Sequence, residues 1–111
     1  MISLAGKICV VTGASSGIGE AVARRLGKEG SRLVLVARSV DKLEALAEEI
    51  GGFGDRPVVN PADVSNEEQV RSAIELTIAT FGGVDILVNS AGAVFFSAIG
   101  ETEEQQWDQI L

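Results

Sequence analysis

The apolar residues of this 111-residue chain fall into two alternating patterns. Short, mostly β-branched runs form the first: Ile8-Cys9-Val10-Val11, Leu33-Val34-Leu35-Val36, Val58-Val59 and Ile86-Leu87-Val88. Continuous runs of this kind mark strands covered on both faces, as in parallel sheets. Between them lie longer stretches with one apolar stripe at helical spacing. Ile18, Ala21, Val22 and Leu26 make the first stripe, and Leu43, Leu46, Ala47 and Ile50 the second. Val70, Ala73, Ile74, Ile78 and Phe81 make the third. The end signals agree. Ser65 with Glu68 and Thr102 with Gln105 read as capping boxes, while Gly51 and Gly82 follow the second and third helices.

The order is strand, helix, strand, helix, strand, helix, strand, then the start of a helix. Right-handed crossovers turn that order into an open parallel α/β sheet with helices on both faces. The predicted strand order is 3-2-1-4. It leaves a crevice between the first and fourth strands, where ligands bind in such sheets. No repeat or linker interrupts residues 1–111, which read as one domain. The chain stops on Ile110-Leu111 within the last predicted helix, with no closing glycine, lysine or proline. It is therefore expected to be the N-terminal half of a longer protein. Cut there, Val84–Val88 is expected to form an exposed apolar edge, leaving the chain marginally stable and self-associating.

Composition narrows the chemistry. A hydrophobic content of 46% and a mean hydropathy of +0.27 suit strands buried on both faces. No apolar run approaches the roughly 18–20 residues of a membrane span, and Met1-Ile2-Ser3-Leu4 lacks a signal-like basic start. The single Cys9 excludes an internal disulfide and suits a reducing, cytoplasmic setting. No histidine is present, which excludes a His-based metal site. A net charge of −7 argues against nucleic acid or an anionic membrane as partner. Any anion must be held by local geometry instead.

Thr12-Gly13-Ala14-Ser15-Ser16-Gly17-Ile18-Gly19 supplies that geometry. It joins a strand to a helix with the spacing G-x-x-x-G-x-G. Glycines let the backbone turn and let a pyrophosphate approach without meeting Cβ atoms. The free N–H groups at the helix start then face the anion, and the hydroxyls of Ser15 and Ser16 add hydrogen bonds. A glycine pattern alone also fits a tight turn; its place within a strand–helix–strand unit favours phosphate binding.

Three motifs in order now support a family resemblance. They are the Thr12–Gly19 loop, the pair Asp63-Val64, and Asp85-Ile86-Leu87-Val88-Asn89-Ser90-Ala91-Gly92. Together they resemble the classical short-chain dehydrogenases/reductases over essentially the whole chain. The resemblance implies a Rossmann-type NAD(P)-binding domain. Gly13, Gly17, Ile18 and Gly19 would hold the pyrophosphate, and Asp63 and Val64 would lie along the adenine. Asn89, Ala91 and Gly92 would lie beside the nicotinamide ribose. One position departs from the family: Ser90 stands where a second asparagine is usual, and its hydroxyl lacks the paired donor and acceptor of an amide.

Folds of this type usually carry an acid about 20 residues past the glycine loop, where it grips the ribose 2′-hydroxyl. Here the second strand ends Val36-Ala37-Arg38-Ser39. A guanidinium can fork two hydrogen bonds onto a 2′-phosphate. Arg38 and Lys42 also place two cations beside a helix N-terminus, an unfavourable site that a bound phosphate would relieve. NADP(H) is accordingly expected over NAD(H).

The chain offers no candidate proton donor for carbonyl reduction. It has no histidine and no tyrosine, and Cys9 reads as a small buried hydrophobe. The family's later serine, Tyr-x-x-x-Lys pair and asparagine are absent. The resemblance thus implies an oxidoreductase interconverting a carbonyl and a secondary alcohol, of which this chain is the cofactor-binding half and by itself inactive. Small hydroxyl or oxo compounds, such as 3-hydroxy acids or 3-oxoacyl thioesters, are the implied substrates of a homo-oligomeric parent. The alternative is a non-catalytic dinucleotide-binding module. A flavin or S-adenosylmethionine binder fits the combined motifs less well.

Overall fold

A computed structural model of the chain describes residues 4–15 and 17–89, together with the backbone of 93–96. The elements are β1 (Ile8–Thr12), α1 (Gly17–Lys28), β2 (Arg32–Ala37), α2 (Val40–Gly51), β3 (Val58–Pro61), α3 (Glu67–Phe81), β4 (Ile86–Asn89) and β5 (Ala93–Phe96). They form one sheet in the order β3-β2-β1-β4-β5, and its first four strands are parallel. The expected 3-2-1-4 order is present, with helices on both faces.

Alternation along the strands divides the interior in two. Cys9, Val11, Leu33, Leu35, Ala37, Ile86 and Val88 face α1 and α2, which contribute Ala23, Leu26, Leu43, Leu46, Ala47 and Ile50. Val10, Val34, Val36 and Leu87 face the other way, toward Val70, Ala73 and Ile74 of α3. Each fully buried valine, leucine or isoleucine stabilises the fold by about 1.5–3 kcal/mol. Cys9 belongs to the first cluster as a buried free thiol, and burial pushes its pKa up.

Four expectations change. The stripe Ile18, Ala21, Val22, Leu26 is only partly the face that α1 buries: Leu26 is in the core and Val22 packs against it, but Ala21 is exposed. Ile18 is 70% exposed, and the buried residues are Gly19, Ala23, Leu26 and Gly27. Small residues set this face because α1 approaches its neighbours too closely for larger ones. A Cβ on Gly27 would lie 2.7 Å from Ile50 Cγ2. The cap of α3 is Asn66, whose side chain accepts from the Gln69 N–H, and not Ser65. Helix α2 runs through Gly51 and is capped at Gly52 in a right-handed conformation, whereas Gly82 closes α3 left-handed, at φ 89°, as expected.

The fourth change concerns the expected apolar edge. β4 is not an edge: after Asn89 the chain returns, and β5 pairs antiparallel with it from Asn89↔Ala93 to Ile86↔Phe96. An antiparallel partner needs only a short connection, so it follows directly in sequence. Ile86, Leu87 and Val88 are buried, and the argument for self-association through this strand falls away. The expected Thr102–Gln105 cap and its helix lie outside the described residues.

Candidate cofactor site

The carboxyl ends of β1–β4 lie side by side, and each contributes to one edge of the sheet. At the end of β1, Gly13 takes φ +68°, a left-handed conformation that favours glycine. Its N–H and that of Ala14 both donate to the Val36 carbonyl, at 2.7 and 3.3 Å, which ties the loop to β2. Helix α1 begins at Gly17 and stacks directly on this turn. A Cβ on Gly19 would lie 2.3 Å from the Gly13 carbonyl oxygen.

Gly17 differs from both. It carries no positive φ, and a Cβ there would meet none of the described residues within 4 Å. Gly13 and Gly19 thus answer to the chain itself, while Gly17 leaves open space at the start of a helix whose first N–H groups have no partner within the helix. Ile18 is exposed beside it, Ser15 is half-buried, and Ser16 lies outside the described residues.

At the end of β2, Arg38 is 76% exposed and donates from Nη2 to Asp63 Oδ2 at 3.1 Å. The contact exists because β2 and β3 run parallel and end together; the Ala62 N–H donates to the Ala37 carbonyl. Arg38 therefore has a carboxylate partner within the chain, in addition to any that a bound phosphate would supply. Ser39 caps α2, though its hydroxyl makes no cap bond.

Both carboxylate oxygens of Asp63 are engaged. Its Oδ1 accepts from the Ser65 N–H at 2.9 Å and from the Ser65 hydroxyl at 2.6 Å. The Ser65 hydroxyl, then Arg38, then the Ser65 N–H hold its pKa down at about 2. Its own N–H donates to Gln69 Oε1 at 2.7 Å. Sequence reasoning missed this arrangement by assigning Ser65 to the helix cap. An aspartate bonding to the backbone two residues on is an Asx turn, and Asp63-Val64-Ser65 carries its signature.

At the end of β4, the Thr12 hydroxyl lies 3.3 Å from both Asn89 Oδ1 and the Val88 carbonyl, fixing β4 against β1. A cleft of about 270 Å³ opens there, lined by Thr12, Leu87 and Asn89 from the sheet, by Val64 and Ser65 from the β3–α3 connection and by Glu67 and Val70 of α3. Ser90, Ala91 and Gly92 lie outside the described residues. The structure thus brings Gly13, Gly17, Ile18, Gly19, Arg38, Asp63, Val64 and Asn89 to one edge. Among the described residues, no group of three His, Cys, Asp or Glu side chains could hold a metal.

Comparison with known proteins gives the same picture. The short chain dehydrogenase family matches residues 7–111. An uncharacterised oxidoreductase of Staphylococcus aureus is 43% identical over all 111 residues, which span 47% of that relative. The chain therefore spans about half the length of this relative. L-sorbose reductase from Gluconobacter frateurii, solved with NADPH and L-sorbose, is 41% identical with a TM-score of 0.74, covering 96% of this chain and 41% of that one. The 3-ketoacyl-(acyl-carrier-protein) reductase from Brucella melitensis, solved with NADH, is 44% identical with a TM-score of 0.68, covering 77% and 34%.

Proposed function

Because the chain belongs to the short chain dehydrogenase family, we propose that it forms the cofactor-binding part of an NADP(H)-dependent oxidoreductase that interconverts a carbonyl and a secondary alcohol. The observation that carries the cofactor assignment is the open space at Gly17, set between two glycines that the fold itself requires. A pyrophosphate on the helix start would occupy it. Gly13, Ser15, Ser16, Gly17, Ile18 and Gly19 form the phosphate-holding loop in this reading. Asp63 and Val64 border the adenine, and Asn89, Ala91 and Gly92 border the nicotinamide ribose. When bound, the nicotinamide supplies hydride chemistry. The proton donor is assigned to the part of the relatives' length that this chain does not span, and the 111 residues alone are expected to be inactive.

Family membership leaves the choice of dinucleotide open, since solved relatives hold NADPH in one case and NADH in another. Arg38 favours NADP(H). It is exposed at the end of β2, and its single described contact, through Nη2, leaves most of its five N–H donors for a phosphate. Charge-assisted bonds of this kind contribute about 1.5–3 kcal/mol, or roughly ten- to 150-fold in affinity. Titration of the chain with NADPH and NADH, followed by nicotinamide fluorescence, tests the reading. Saturable binding that favours NADPH is expected, and Arg38→Asp should move the preference to NADH. Unchanged relative affinities would overturn the NADP(H) assignment; failure to bind either would overturn cofactor binding by this chain.

A further inference from the structure

The arginine at the end of β2 does not stand alone. Arg38 donates to Oδ2 of Asp63, while the other oxygen of the same carboxylate is held by the hydroxyl and N–H of Ser65. Asp63 is fixed from its backbone as well, through the bond of its N–H to Gln69 Oε1, and Gln69 in turn donates its own N–H to the Asn66 cap. An exposed arginine is a flexible side chain, and ordering it costs about as much rotamer entropy as any side chain can lose. Here a rigid turn at the start of α3 holds it.

From this geometry we infer that Ser65 is a positioning residue for dinucleotide selection. By orienting the Asp63 carboxylate, it pre-sets Arg38 across the end of β2 with the remaining guanidinium donors free for a 2′-phosphate. The selecting unit is then Arg38, Asp63 and Ser65 together, drawn from two strand ends. This inference rests on the NADP(H) reading above. Ser65 is the informative position because it is exposed, and Ser65→Ala removes a hydroxyl while leaving the Asp63 charge in place. Like-charge repulsion between that carboxylate and a phosphate therefore cancels in the comparison, as does any contact with the adenine that NADH and NADPH share.

The experiment is a cycle of NADPH and NADH dissociation constants for the unaltered chain, Ser65→Ala, Ser65→Thr, Arg38→Ala and the double variant Arg38→Ala/Ser65→Ala. Loss of one orienting hydrogen bond should lower the NADPH preference of Ser65→Ala about threefold to tenfold. Ser65→Thr, which keeps the hydroxyl, should restore it. In the Arg38→Ala background, Ser65→Ala should leave the preference unchanged. If Arg38→Ala lowers the preference and Ser65→Ala does not, the inference is overturned and the NADP(H) reading survives. An equal effect of Ser65→Ala with and without Arg38 also overturns it, because Ser65 would then act by another route. If Arg38→Ala itself changes nothing, the underlying reading has failed.

Discussion

Two glycines of one loop should respond in opposite ways to the same substitution. Gly17 opens α1, a position that alanine accepts, and an added Cβ has none of the described residues within 4 Å. Gly17→Ala should therefore stabilise the fold by about 0.4–1 kcal/mol, through the lost freedom of the unfolded chain. At Gly19 the added Cβ would sit 2.3 Å from the Gly13 carbonyl oxygen. A backbone atom cannot step aside as the end of a side chain can, so the helix start must move by about 1 Å. Overpacking of this kind costs about 1–3 kcal/mol, more than the roughly 1 kcal/mol that alanine gains over glycine within a helix. For a domain of this size each kcal/mol moves the melting temperature by about 4 °C. Gly17→Ala should melt about 2–4 °C higher than the unaltered chain, and Gly19→Ala should melt lower. NADPH titration should then show the reverse of a simple stability effect. Gly17→Ala, the more stable variant, should lose at least about tenfold in affinity, or about 1.4 kcal/mol, because its methyl group fills the space left for the pyrophosphate. A stable Gly17→Ala variant with undiminished affinity would refute the reasoning, since nothing would then need that space.

The remaining expectations concern the β3–α3 connection. Asn66→Ala removes the side-chain acceptor for the Gln69 N–H and should lower stability by about 1 kcal/mol in urea unfolding; an unchanged midpoint would mean the helix start finds another cap. The low pKa of Asp63 sets a pH window. Its folded value is depressed to about 2, so its contribution to stability is fully present above the ordinary carboxylate range, near pH 4, and is lost as the pH falls toward 2. Melting curves recorded from pH 5 to pH 2 should fall less steeply for Asp63→Asn than for the unaltered chain, and parallel curves would deny the carboxylate its role in the turn.

The sheet was legible because its signal lies in large apolar side chains. Three continuous runs and the order of strands and helices were enough to predict the parallel arrangement of β1–β4. What was illegible lies in small or polar residues. Helix α1 packs through Leu26 together with the small Gly19, Ala23 and Gly27; hydrophobic spacing found the leucine, but small residues carry no apolar signal and the same spacing also took in the exposed Ile18. At the start of α3, Ser65 and Asn66 are both good capping residues, and only the bonds made by Asp63 decide between them. Arg38 stood out in the sequence as a candidate phosphate ligand, but its partner within the chain lies 25 residues away. No local pattern joins the two. The antiparallel return of Ala93–Phe96 breaks the alternation of strand and helix that the rest of the chain follows, so that alternation gave no sign of it.

Strand order also sets the sequence in which this edge can be assembled. β1 pairs with β2, and β2 with β3, each across a single helical crossover, whereas β1 meets β4 only after the whole of that segment: the bond from Ile8 N–H to Asp85 Oδ2 spans 77 residues. Closing the longer loop costs about 1 kcal/mol more in chain entropy than closing either shorter one, and contacts of such separation form slowly. On a ribosome, β1 to β3 emerge first and can pair before β4 exists. The glycine turn, Arg38 and Asp63 all belong to that earlier segment, so the region assigned to the adenosine end would be assembled first. Asn89 would join it with the last parallel strand.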